Sequence, residues 1–295
     1  MALFADWCES ERDENGRKRL WKFKERDNGR AAISAQFPDL LRSHYDDMNH
    51  IAEDVRELGF AGASALLAER LPRTPRARSG ELGEILATEL IEEELDFLVP
   101  VRRLRYKDGR EMALRGDDFI GIRVDPNGEL FLLKGEAKSR ANLAGAAIGE
   151  ARAALSRDSG RPTATSLLFI ADRLMEREDE SAALGRTIRN EVANRTLPAA
   201  RIDHALFTMS GNAPPQALTD DLHSVGAERT HTVVHLRIAD HQDFIRVDHA
   251  YRRIVCLSAI LPEGTLLINS TLASTEWDAV KRDGRCLNKL HCLPC

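Results

Sequence analysis

FIGIRVDPNGELFLLKGEAK, residues 119–138, sets two apolar runs on either side of Asp125-Pro126-Asn127-Gly128. Asn-Gly tolerates the positive φ angles of tight hairpin turns, so residues 119–124 and 130–138 are predicted to pair antiparallel. The second run ends in Glu136-Ala137-Lys138. A strand repeats every two residues, which puts Glu136 and Lys138 on one side and turns Ala137 away. Two charges where a buried strand ends need a reason, because burying either without a partner is costly.

Working outward, Lys107-Asp108-Gly109 separates this hairpin from VRRLRY, another short run. Before it, GELGEILATELIEEELDFL has helical spacing, and Ser79 is placed to cap it by accepting from a free amide of the first turn. LPRTPRARSG, residues 71–80, carries two prolines and three arginines and is expected to be a loop or linker marking a domain boundary. Residues 1–78 are expected to be mainly helical, with IAEDVRELGF and AGASALLAER at helical spacing. Downstream, a helix is predicted over residues 141–155, strands over 166–171, 204–209 and 233–238, and helices over 173–194 and 240–257, with ILPEGTLLINS following. The sum is an α/β fold with a mixed central sheet flanked by helices, preceded by a helical N-terminal segment; residues 79–295 form the second region.

Composition narrows the function. Hydrophobic residues make up 43% of 295, enough for a sizeable core, while aromatics at 5% argue against a single-strand platform of stacked rings. The net charge of −5 is unlike that of a protein gripping DNA unaided, so a partner is expected to supply much of any such grip. The charged first thirty residues lack the apolar core of a secretory signal, and no apolar run reaches membrane-spanning length. Five cysteines, an odd number, suit a reducing compartment, and the expected location is cytoplasmic. There is neither a Gly-x-x-x-x-Gly-Lys phosphate loop nor a Gly-x-Ser-x-Gly elbow.

The acidic residues suggest phosphodiester hydrolysis. That reaction needs an activated water, charge stabilisation at phosphorus and a neutralised leaving oxygen, all of which carboxylate-held Mg²⁺ (or Mn²⁺) supplies. Mg²⁺ keeps several waters, so two or three carboxylates suffice. Asp118, just before the first strand, and Glu136, near the end of the second, are placed to share an ion, with Lys138 beside them as a point charge for the water or phosphate. Glu81 and Glu84 occupy one helix face, and either can complete the shell; Gly83 lets the helix come close, which favours Glu84. The bland alternatives are a structural Glu136–Lys138 ion pair and a polar turn at Asp117-Asp118.

The order Gly83-Glu84-x-x-Ala87, Gly116-Asp117-Asp118, Gly135-Glu136-Ala137-Lys138 resembles the PD-(D/E)xK nuclease superfamily, with Glu84, Asp118, Glu136 and Lys138 at its motif positions. Asp117 stands where that motif has proline. More narrowly, GELGEILATELI, RGDDFIGI, LFLLKGEAKSR and the helical leader resemble the HamA family, nuclease subunits of the Hachiman antiphage defence system. The resemblance implies a restriction-endonuclease-like core and a metal-dependent DNase with little sequence preference. It also implies a HamB-like superfamily 2 helicase that loads on DNA and holds the nuclease in check.

Other features carry less. The tail from Cys286 to Cys295 has a Cys-x-x-Cys without a second pair, so free or buried thiols are expected rather than zinc. His204, His231, His235, His241 and His249 read as polar packing or interface contacts. Trp7, Trp21 and Phe23, among Arg17, Lys18, Arg19, Lys22 and Lys24, read as a segment docking on a partner or on its own domain.

Overall fold

The computed structural model describes residues 2–112, 115–177 and 179–246. The strands are β1 (Cys8–Asn15), β2 (Lys18–Glu25), β3 (Phe119–Val124), β4 (Leu130–Arg140), β5 (Ile202–Ser210) and β6 (His231–Arg237). The α-helices are α1 (Leu3–Trp7), α2 (Gly29–Ile33), α3 (Phe37–Tyr45), α4 (Met48–Arg70), α5 (Pro75–Glu94), α6 (Gly145–Ser156), α7 (Ala164–Met175), α8 (Ser181–Asn194), α9 (Gln216–Ser224) and α10 (His241–Arg246). Among the described residues no helix is long and apolar enough to cross a membrane.

The strands form one mixed sheet in the order β1-β2-β6-β5-β4-β3. The inner four run parallel, and β1 and β3 close the edges antiparallel. β5 and β6 are buried almost throughout, as parallel strands covered on both faces must be. On one face Ile120, Ile122 and Leu132 meet Leu167, Ile170 and Leu174 of α7 and Ile188 of α8. Leu20, Leu206 and Val233 meet Ile148, Ala151 and Leu155 of α6 and Leu218 and Leu222 of α9. α5 packs on the other face.

The β3–β4 hairpin forms as its sequence predicts, with Phe119 opposite Gly135 and Val124 opposite Leu130. Of the Asn-Gly pair only Gly128 takes positive φ, +79°. Asp125 Oδ1 fastens the turn instead, accepting from the amides of Asn127 at 2.9 Å and Glu129 at 2.8 Å. Gly135 lets the Phe119 ring lie flat across β4: a Cβ there would stand 2.0 Å from that ring.

Three expectations need correction. Residues 166–171 are not a strand but the middle of α7, where Leu167, Ile170, Ala171 and Leu174 follow helical spacing and Thr163 Oγ1 accepts from Ser166 N at 3.3 Å. The helix expected over 173–194 is two, α7 and α8, with Ser181 N donating to Asp179 Oδ1 at 2.8 Å where the second begins. VRRLRY, a short run in the sequence, forms a 3₁₀ turn, Arg103–Tyr106. The loop expected over residues 71–80 is confined to 71–74, between α4 and α5: α5 begins at Pro75 and is capped by Thr74, whose Oγ1 accepts from Ala77 N at 3.3 Å, so Ser79 lies inside the helix.

The helical N-terminal segment is present as α2–α4, but residues 8–25 form a hairpin that belongs to the main sheet. β1 reads CESERDEN and is exposed after Cys8, so it shows no apolar alternation to betray it. Trp7, Trp21 and Phe23 are buried, docked on their own domain. Because β2 pairs with β6, the first 78 residues and the later strands share one sheet. The expected helix over 240–257 is represented by α10; its remainder, ILPEGTLLINS, His249 and the cysteine-containing tail lie outside the described residues.

Candidate active site at the end of the sheet

Glu136 and Lys138 project from the same side of β4, with Lys138 Nζ 2.5 Å from Glu136 Oε1. The pairing of Phe119 with Gly135, continued one step outward, brings Asp118 alongside. Its Oδ2 accepts from Ala137 N at 2.8 Å, extending the ladder by a side chain. α5 delivers Glu84 from the other direction, and Gly83 eases the approach: a Cβ there would sit 3.3 Å from that of Ser139.

The structure separates each acidic pair that the sequence leaves open. Asp117, 1% exposed, turns away from the cluster. Its Oδ2 accepts from Thr163 N at 2.7 Å, its amide donates to Ser166 Oγ at 2.9 Å, and Lys134 Nζ lies 3.5 Å from Oδ1. Asp117 thus anchors the start of α7 while Asp118 faces Glu136. Glu81 is likewise occupied, by an ion pair with Lys107 and a hydrogen bond with Tyr45. Glu84 instead stands where Asp118 is its strongest charged neighbour.

Burial raises all three carboxyls above their ordinary range. Glu84 goes furthest, pushed by desolvation and then by Asp118. Desolvation raises Asp118 against the Ala137 amide, Lys138 and Arg103, and raises Glu136 together with Asp118 against Lys138. Asp118 is therefore the common neighbour, repelling a carboxylate on each side. Hard oxygen donors that repel one another are what a divalent cation relieves, so the donor chemistry fits Mg²⁺ or Mn²⁺. Among the described residues no group of three or more His, Cys, Asp or Glu side chains is arranged to hold an ion. Asp118 is the charged neighbour that Glu136 and Glu84 share, so the carboxyls that could offer oxygens to one ion are Asp118 and Glu136, with Glu84 behind Asp118.

A folded-state carboxyl raised this way favours the protonated fold: its contribution is complete below the ordinary value of 4.5 and is lost as pH rises through the raised value. Glu84→Gln imitates the protonated form at every pH. Thermal melts are expected to coincide with wild type below about pH 4.5 and to run higher above it, the gap widening toward neutrality. Taking the difference between the two proteins cancels the titration of the buried histidines. A variant that melts lower at pH 8 contradicts the assigned burial of charge.

Three further residues build the site without a signal in the sequence. Arg103 donates through Nη1 to the carbonyls of Asp117 and Asp118 and through Nη2 to that of Arg115 at 2.7 Å, pinning the backbone before β3. Lys107 neutralises Glu81. His241 Nε2 lies 2.9 Å from Ser139 Oγ, itself 2.8 Å from Ser79 Oγ, which ties α10 and α5 to β4. His204, His231, His235 and His241 are all buried.

A family model described as HamA matches residues 1–251 of the chain. The Hachiman protein HamA of Bacillus cereus is 30% identical over 105 residues, 36% of this chain and 36% of the relative. The matched part of the chain thus spans about a third of that relative's length.

Proposed function

The chain belongs to the HamA family, and from that premise we propose that it is a metal-dependent deoxyribonuclease, the effector of an antiphage defence complex. The observation that carries this reading is the convergence of Asp118, Glu136 and Lys138 across the β3–β4 hairpin, with each carboxyl raised by burial. Mg²⁺ or Mn²⁺, when bound, supplies activation of water and relief of charge on the phosphate. Asp118 and Glu136 offer the oxygens that would hold it. Lys138 directs a point charge at the phosphodiester, steadying the charge that builds as the water oxygen bonds to phosphorus and the bond to the leaving oxygen breaks. Asp118 raises Glu84 in turn, and Arg103, through the Asp118 carbonyl, fixes the position of Asp118.

The net charge of −5 and scarce aromatics support a subunit that is handed its DNA. Its partner on this reading is a HamB-like superfamily 2 helicase that loads on DNA and restrains the nuclease, with both acting in the cytoplasm. Protein freed of its partner is expected to degrade duplex DNA of unrelated sequences in Mg²⁺ or Mn²⁺ and to stop when EDTA is added. Cleavage that persists in EDTA removes the metal from the scheme.

A second reading, a non-catalytic subunit that docks a helicase or nucleic acid, draws on the closed Lys138–Glu136 ion pair and on the lack of a three-ligand group among the described residues. It predicts a folded protein that binds its partner and never cuts.

A further inference from the structure

Two arginines flank the acidic cluster without taking part in it. Arg140 follows Lys138 by two residues, so Glu136, Lys138 and Arg140 project from one side of β4. Arg157 reaches that side from a helix. Glu136 stands in register beside Leu206 of β5, and Leu206 packs on Ile148, Ala151 and Leu155, so α6 covers the face from which Glu136 projects. α6 ends at Ser156, and Lys134, two residues before Glu136, donates through Nζ to the Arg157 carbonyl at 3.0 Å. Lys134, Glu136, Lys138 and Arg140 thus form one row along β4, with an arginine at each end and the acidic cluster between them. Burial and then Asp118 raise the Glu136 carboxyl, while Lys138 and, after it, Arg157 lower it.

The backbone under each arginine is held. After Arg157, three residues in a row take positive φ, 55° at Asp158, 58° at Ser159 and 75° at Gly160, and turn the chain back. Arg229 fastens that turn, donating to the Ser159 carbonyl at 3.1 Å and to the Gly160 carbonyl at 2.8 Å. With Lys134 at one end and Arg229 at the other, the turn sets the Arg157 side chain in place before any ligand arrives. Arg140 is placed by the sheet: the ladder to β5 runs out to it, opposite Ser210, and Ser139 before it is buried.

Both side chains are exposed, and neither forms an ion pair among the described residues. Arg140 Nη1 donates to the carbonyl of its neighbour Ser139 at 2.9 Å, and Arg157 Nε to that of Ala154 at 3.4 Å. A guanidinium carries five N–H donors, so most of each fork stays open. Asp158, next to Arg157, is exposed and is likewise in no ion pair among the described residues. Lys138 differs, being closed on Glu136.

We propose that Arg140 and Arg157 are positioning residues for the DNA strand, gripping phosphates on either side of the one that is cut. The inference rests on the nuclease reading and adds to it the contacts that set the strand over Asp118 and Glu136. A planar guanidinium fork matches a phosphate bidentately, and phosphate contacts fix register without reading bases, in keeping with little sequence preference. From Lys134 to Arg140 the strand rises about 20 Å, the axial length of about six nucleotides of duplex. Flanking phosphates therefore fit on both sides of a central one. Two arginines orient a strand that the partner delivers; they do not capture it alone.

Fluorescence anisotropy of the full chain with a labelled duplex in EDTA, across a range of salt, reads binding apart from cleavage. Wild type is expected to bind with a Kd of about 100 μM or tighter at about 50 mM salt. Arg140→Gln and Arg157→Gln should each weaken binding by about 3- to 10-fold and lower the slope of log K against log salt by about 1, the pair by about 2. Arg140→Lys and Arg157→Lys keep the slope, and no variant shifts the melting temperature. In Mg²⁺ each glutamine variant is expected to raise KM by a similar factor with kcat within about 3-fold of wild type. A salt slope indifferent to both glutamine variants overturns the proposal, as does wild type that shows no saturable binding by about 1 mM. Loss of a co-purified helicase with DNA binding unchanged assigns the arginines to the partner and overturns it too. Protein that never cuts yet loses slope as expected supports the phosphate contacts and removes the nuclease reading; undiminished cutting with both arginines replaced does the reverse.

Discussion

Glu136→Gln is expected to reduce DNA cleavage by at least about 100-fold, the scale on which one charged stabilising group leaves a transition state. The carboxamide keeps the shape of the side chain and an oxygen to accept from Lys138, at 2.5 Å in the wild type. What it loses is the negative charge that Asp118 and burial already oppose. Thermal stability should therefore hold or rise while activity falls, the pattern of a site whose function costs stability. Lys138→Met is expected to lose cleavage to a similar degree and to melt lower, because Glu136 is then buried without its cation. Combining the two should restore the melting temperature and leave cleavage absent. If the ion pair were only structural, Glu136→Gln would cut as wild type does, and a rate within about 10-fold of wild type sinks the catalytic assignment.

Asp117→Ala is expected to destabilise the fold by about 3–5 kcal/mol, the cost of leaving one half of a buried ion pair alone. Lys134 is 1% exposed, and burial already lowers its pKa against the pull of Asp117. The substitution also removes the acceptor for Thr163 N at the start of α7. Asp118→Asn, one residue along, should instead leave stability near wild type and abolish cleavage, since the amide oxygen still accepts from Ala137 N. Urea unfolding of both variants, read beside cleavage, separates the roles. Adding Lys134→Met to Asp117→Ala should recover much of the loss, because removing both partners of a buried pair is close to neutral. Should Asp118→Asn prove the unstable protein and Asp117→Ala the inactive one, the two roles are reversed.

Much of this site was legible because its parts are local. The hairpin rests on Asp125 and Gly128, which act within five residues of one another, and the side shared by Glu136 and Lys138 follows from the strand period alone. The closeness of α5 was readable from Gly83, since a Cβ there would crowd Ser139 at 3.3 Å. Reading failed where apolar character was ambiguous. SLLFIA suits a buried strand and a buried helix equally, and the cap from Thr163 with the continuation to Leu174 decides for the helix. CESERDEN failed for the opposite reason: an edge strand open to solvent has no apolar face to display.

The sequence by itself determined the α/β class, the β3–β4 hairpin and the order of acidic residues and lysine along it, because periodicity and turn chemistry act between near neighbours. Only the tertiary structure decided which acid of each pair enters the cluster. Asp117 is claimed by Thr163 and Lys134, and Glu81 by Lys107, all distant in the chain. It also decided that the N-terminal hairpin enters the sheet beside β6, more than 200 residues later. A carboxylate's role depends on which cation or amide reaches it first, and that is settled by packing.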